Sequence, residues 1–159
     1  MNEEKLNRLP ADVKKQFLKY AIKLSEKKQK SKVHEDFLTF VKHVWPEFIE
    51  GEHHKKIAEK FNEIANKKIK RLIINMPPRH TKSEFASFLL PSWMVGRKPD
   101  LKIIQTTHTT ELAIRFGRKA KNLMDSPEYK QVFSTRLRED SQAAGKWETE
   151  QGGEYYAAG

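Results

Sequence analysis

Residues 71–83, Arg-Leu-Ile-Ile-Asn-Met-Pro-Pro-Arg-His-Thr-Lys-Ser, set the tightest constraint on how this chain folds. The run Leu72-Ile73-Ile74 is short, apolar and β-branched, with basic residues before it and Pro77-Pro78 after it, which predicts a buried parallel strand. The two prolines stop it, because neither has an N–H to give to a ladder. A helix follows from Lys82-Ser83, with Phe85, Ala86, Phe88, Leu89 and Trp93 as its apolar positions and Pro91 shortening or kinking it. A strand that turns into a helix N-terminus aims backbone N–H groups and the positive end of the helix dipole at one spot, where an anion is stabilised.

Two readings of this loop stand side by side. The phosphate-loop pattern G-x-x-x-x-G-K-[ST] matches Lys82 and Ser83 but places glycines where this chain has Met76 and Thr81. In that reading Lys82 meets β- and γ-phosphates and Ser83 offers Mg²⁺ a hydroxyl. In the plainer reading a buried strand leaves through a Pro-Pro turn, and Thr81 is simply the N-cap of the next helix.

The flanking sequence predicts helices and a second strand. Val13, Phe17, Tyr20, Ala21 and Leu24 make residues 11–30 an amphipathic helix with lysines outward, and Ser31-Lys32 reads as a break. A helix over 34–44 buries Phe37, Phe40, Val41 and Val44 and ends at Pro46. After Gly51, residues 53–66 turn Ile57, Phe61, Ile64 and Ala65 inward and Lys55, Lys56 and Lys60 outward. Pro99-Asp100 leads into a strand over 101–107. The helix over 110–124 places Leu112, Ile114, Phe116, Ala120, Leu123 and Met124 on its apolar positions. Thr109 or Thr110 is its N-cap, and Arg115, Arg118, Lys119 and Lys121 make it basic. The order strand, helix, strand, helix predicts an α/β fold with a parallel sheet, its active face at the strand C-termini where loops 76–82 and 107–110 emerge. Residues 128–133 form one further turn. The segments 146–149 and 154–157 then form a hairpin around Gln151-Gly152-Gly153, whose glycines supply positive φ.

With 159 residues, 37% hydrophobic and 33% charged, the chain fits one domain with a modest core. It has no cysteine, which removes disulfides and thiol chemistry. No apolar run approaches a membrane span, and the N-terminus lacks a hydrophobic signal region. The net charge of +10 favours a polyanion, and residues 1–32 hold ten Lys or Arg against four acids. That cluster is either a solvated helix face or a nucleic-acid contact. The six histidines form no zinc pattern, His53 and His54 read as a surface pair on a basic helix, and His80 reads as shaping the loop. No nucleophile elbow or Ser/His/Asp order is present.

Four segments, in order, resemble the N-terminal ATPase region of viral large terminases, the motors that pump double-stranded DNA into a preformed capsid. His53-His54-Lys55-Lys56-Ile57 is similar to the helix ahead of that family's first strand. Arg71 to Glu84 resembles its deviant Walker A segment, in which Pro-Pro-Arg-His precedes Lys-Ser. Thr106-Thr107-His108 through Leu112-Ala113, with Phe116-Gly117-Arg118, resembles the second strand and its helix. Trp147-Glu148-Thr149 with Gly152-Gly153 and Tyr155 resembles the hairpin before Walker B. The likeness covers residues 33–159.

The resemblance implies a partial P-loop NTPase of the ASCE type over 33–159, preceded by a basic helical extension over 1–32. It implies ATP and Mg²⁺ as cofactors, held by Met76, Pro77, Pro78, Arg79, His80, Thr81, Lys82, Ser83 and Glu84. Lys82 would grip the triphosphate, Ser83 would ligate the metal, and Arg79 would act in cis near the γ-phosphate. His53 or His54 is placed on the helix that approaches adenine in related motors. The implied partners are double-stranded DNA, a portal protein, a small terminase subunit and further copies in a homo-oligomeric ring, in the host cytoplasm and transiently at the procapsid portal, with no membrane. A terminase motor also needs a second apolar strand ending in acids, and no run of four apolar residues followed by Asp-Asp or Asp-Glu exists here. Asp100, Asp125 and Asp140 sit in turn or polar contexts, and the family's nuclease domain is absent. The expectation is therefore a truncated or partial sequence ending before Walker B. The competing reading is a non-catalytic basic DNA-binding or assembly module that uses residues 1–32 and helix 110–124.

Overall fold

The computed structural model describes residues 10–159; Lys5 and Arg8 of the basic extension lie outside the described residues. Helix α1 (Ala11–Glu35) runs straight through the break expected at Ser31-Lys32, where the Ser31 hydroxyl donates to Glu35 at 3.1 Å. Its apolar stripe is not covered by any of the described residues. Val13, Phe17, Tyr20 and Leu24 are all exposed, and Val33 is the one buried residue of the helix.

Asp36 separates α1 from α2 (Phe37–Val44), because its extended φ of −122° breaks the ladder while its carboxylate accepts the Thr39 N–H at 2.7 Å. Burial works to raise the Asp36 pKa, but hydrogen bonds from Thr39 and Asn62 outweigh it and hold the carboxyl below its ordinary value. Helix α2 buries Phe37, Phe40 and Val41 completely, as its spacing predicts, while Val44, expected inside with them, is half-buried at its end. Phe37 is the hub of the core. Its ring meets Phe61, Phe85 and Trp93 edge-on at 5.1, 5.4 and 5.5 Å, drawing α2 together with the two helices that follow.

Helix α3 (Glu52–Ala65) starts at Gly51 and ends in a paired cap, Lys67 N–H to Ile64 and Lys68 N–H to Glu63, with Lys67 at φ 59° where glycine is usual. Helix α4 spans 82–97 in three pieces: a helical turn at Lys82–Glu84, a π segment at Phe85–Leu89 and an α-helix at Leu90–Arg97. Pro91 therefore does not end it. The wider π turn, in which the Leu90 N–H reaches Phe85, absorbs the ladder bond that a proline cannot make.

The remaining elements are β1 (Lys102–Thr106), α5 (Thr110–Asp125), α6 (Pro127–Val132), β2 (Leu137–Ala143), β3 (Lys146–Thr149) and β4 (Glu154–Ala158). Thr109 is the N-cap of α5, its hydroxyl accepting the Leu112 N–H at 3.3 Å. The protein is thus mixed α/β, but its sheet is not the parallel one expected. The order is β1-β4-β3-β2, with only β1 and β4 parallel. The hairpin 146–158 forms as read, and its second arm becomes the parallel neighbour of β1. Within its turn Gly152, at φ 85°, is the one glycine with positive φ.

The strand predicted over 72–74 makes no ladder among the described residues. Its side chains still alternate: Leu72, Ile74 and Met76 lie against the core, while Ile73 is 86% exposed. The reason is the partner rather than the segment, because a strand's hydrogen bonds lie wholly outside itself and neither β1 nor the hairpin pairs with it.

Helix α5 covers one face of the sheet, where Trp147 and Tyr155 stack at 4.7 Å and share the core cluster with Ala113 and Ala120. The approach requires glycine at 117, where a Cβ would lie 2.3 Å from the Ala144 carbonyl and the Trp147 indole N–H donates to the Gly117 carbonyl at 3.3 Å. On the other face Ile104 and Tyr156 are exposed. No helix among the described residues is long and apolar enough to cross a membrane.

Because Phe37 has no exposed surface and four aromatic neighbours, Phe37→Ala leaves a cavity that helices from both sides cannot close. Urea unfolding should show a loss of about 3–5 kcal/mol. A loss below about 1 kcal/mol would mean that the hub is not where the core is held.

Candidate functional site

The loop after Met76 curls back on itself before α4 begins. Pro77 through Glu84 line a recess of about 200 Å³, so eight of the nine residues assigned to nucleotide binding share one concavity. Met76 joins it through its backbone, accepting a hydrogen bond from the Lys82 ammonium at 3.3 Å. Lys82 is half-buried and folded over the loop, whereas Arg79, His80 and Ser83 are exposed. Arg79 makes no hydrogen bond or ion pair among the described residues, which leaves its guanidinium free to meet an anion.

Two non-glycine residues of the loop are left-handed, Arg79 at φ 64° and Thr81 at φ 57°. Thr81 occupies the position where the phosphate-loop pattern has its second glycine. The backbone therefore adopts a glycine-like shape without the glycine, at about 1–2 kcal/mol of steric cost for an L-residue. The side chain of Thr81 does not cap α4, contrary to the plainer reading; its hydroxyl donates to the His80 carbonyl at 2.7 Å.

His54 holds the other side of that hydroxyl. The Gly51 N–H can only donate, so His54 Nδ1, 2.9 Å away, accepts from it and the ring proton sits on Nε2. Nε2–H then donates to Thr81 Oγ1 at 2.6 Å. A continuous chain runs from the start of α3 through the imidazole to the loop. His54 is 5% exposed, not a surface residue as read from the sequence, and packs against the contacting pair Phe48 and Phe85. The signal was in the spacing: His54 shares an i, i+3, i+4, i+7 stripe with buried Ile57, Ala58 and Phe61. The His53 ring lies 3.8 Å from it, tilted by 45°, and meets the His80 ring at 5.6 Å, while His80 Nδ1 bonds the Pro78 carbonyl at 2.8 Å and so shapes the loop.

Glu84 leaves the loop for α5, where its carboxylate pairs with Lys119 at 2.8 Å. The loop 107–110 does not complete the same recess. With Arg115 and Arg118 it borders a separate, basic one of about 440 Å³. Among the described residues no group of three or more His, Asp or Glu could hold a metal ion. No family model, curated protein or solved structure matches the chain.

Burial pushes the His54 pKa below its ordinary 6.5, and the neighbouring His53 and His80 push the same way while Glu50 opposes them. The folded state therefore binds the His54 proton less readily than the unfolded chain. The sign follows: its contribution to stability is complete above about pH 6.5 and is lost as pH falls through the lower folded value. His34, lowered by burial and by Arg97, has the same sign. Urea midpoints should be flat above pH 7 and fall below about 6.5, and His54→Gln should shrink that fall. An unchanged pH profile in the variant would show that His54 is not the titrating group.

Proposed function

We propose that loop 76–84 binds the triphosphate of Mg-ATP and that the chain is ATPase machinery of a viral large terminase, serving DNA packaging. The observation that carries this reading is the glycine-like turn at Thr81 immediately before α4, with Lys82 folded over the recess it makes. A plain strand-turn-helix connection has no need of a strained threonine at that position.

In this reading the first amides of α4 and the Lys82 ammonium meet the phosphates, where charge-assisted hydrogen bonds are strongest. Ser83 supplies one oxygen to Mg²⁺, and phosphates and water supply the rest, in keeping with a cation that retains most of its own ligands. Arg79 reaches the γ-phosphate from the exposed lip of the loop. Hydrolysis needs a carboxylate to orient water, and the one carboxylate in the loop, Glu84, is occupied by Lys119. The 159 residues are therefore assigned binding with slow turnover at most. The excess of Lys and Arg, and the basic recess at Arg115 and Arg118, suit the DNA partner of such a motor.

Titration of the purified protein with a fluorescent ATP analogue and Mg²⁺ tests the assignment. Binding is expected, and Lys82→Ala should weaken it about 100-fold, whereas Arg79→Ala should change it less than about threefold. Equal affinity in the Lys82 variant, or no binding by the wild type, overturns the reading.

A further inference from the structure

Thr81 is held in a left-handed turn that threonine does not favour, and the group that reaches it comes from 27 residues away in sequence. His54 is fixed at three points before it touches the loop. Its Nδ1 is committed to Gly51, and its ring packs against Phe48 at 4.7 Å and Phe85 at 5.1 Å, two rings that also contact each other. Both ring nitrogens are then engaged, since Nε2–H has Thr81 Oγ1 as its acceptor. The hydroxyl proton of Thr81 is thereby directed onto the His80 carbonyl, which ties the side chain of residue 81 to the peptide just before it.

We propose that His54 is a positioning residue for the phosphate loop, holding Thr81 in the conformation that other phosphate loops obtain from glycine. The clamp does not touch the nucleotide. It acts through Thr81 to set the direction of the Lys82 and Ser83 amides, which follow directly in the chain. Its functional meaning rests on the loop being a phosphate site, but its existence does not.

The prediction is a specific dependence between positions 54 and 81. His54→Asn keeps an acceptor for the Gly51 N–H yet is too short to reach Thr81. His54→Gln places an amide N–H near the lost Nε2–H. With threonine kept at position 81, His54→Asn should weaken binding of the fluorescent ATP analogue about tenfold, and His54→Gln should recover most of it. In a Thr81→Gly background the same His54→Asn change should cost less than about twofold, since glycine holds the turn unaided. Lost ring packing against Phe48 and Phe85 is common to both backgrounds and cancels in the cycle.

Two readouts are independent of nucleotide. The ¹⁵N spectrum of the imidazole should show His54 as the neutral Nε2–H tautomer. The urea midpoint should fall further on His54→Asn when Thr81 is present than in the Thr81→Gly background. Equal effects in both backgrounds, or an Nδ1–H tautomer, overturn the clamp whether or not ATP binds. Failure of every variant to bind nucleotide, with the stability coupling intact, overturns the phosphate reading and supports the clamp.

Discussion

Everything at the loop depends on how Phe85 is buried. It lies two positions after Ser83, has no exposed surface, and contacts Phe37, Phe48 and His54 at ring separations of 5.1–5.5 Å. Burying such a ring is worth about 1.5–3 kcal/mol, enough to fix the first turn of α4 against α2 and α3 rather than let it fray. The same ring helps bury His54, and burial lowers the imidazole pKa, so one aromatic contact both places the helix start and bears on the group that reaches the loop. The π segment that begins at Phe85 then delivers Leu89 and Trp93 to the core despite Pro91.

Where a segment's structure is decided by its own side-chain spacing, the sequence was enough. Helix α2 with Phe37, Phe40 and Val41, helix α5 with Phe116, Ala120 and Met124, and the hairpin around Gly152 are all visible as period or punctuation. Where it is decided by a partner, the sequence was not. Leu72-Ile73-Ile74 has the composition of a strand but no ladder, and the polar Leu137–Ala143 has one without showing alternation. The latter pairs with β3, while Arg138 bridges Asp140 and Glu148, contacts that become visible only once the hairpin has formed. At the site the loop residues were legible as a contiguous motif. His54 was hidden by its neighbour, since a His-His pair among lysines looks solvated until its place on the Ile57, Ala58 and Phe61 stripe is followed.

The two ends of the loop are held by different forces, and this bears on how it can move. Its C-terminal end runs into α4, with Phe85 buried, Glu84 paired to Lys119 and Thr81 bonded to His54. Its N-terminal end is held by Leu72, Ile74 and Met76 against the core, with no backbone ladder behind them among the described residues. Side-chain burial resists removal from the core, but it resists sliding along the chain direction much less than hydrogen-bonded register does. Displacement of the loop should therefore begin on the side of Pro77 and Pro78, and Lys82 with Ser83 should keep their places.

A loop without glycines also shifts where the conformational cost falls. Glycine at position 81 would adopt the left-handed turn freely but would lose more backbone entropy on folding, a difference of about 0.4–1 kcal/mol in favour of a residue with a side chain. Threonine reverses both terms, gaining that entropy and incurring about 1–2 kcal/mol of steric cost. The balance is unfavourable by up to about 1.5 kcal/mol, which is the size of one well-placed hydrogen bond. The part-buried bond from His54 Nε2 to Thr81 Oγ1 is such a bond. A threonine at this position is thus workable because a histidine 27 residues earlier has already been fixed in place, and the loop enters the folded state with its turn formed rather than waiting for a ligand to form it.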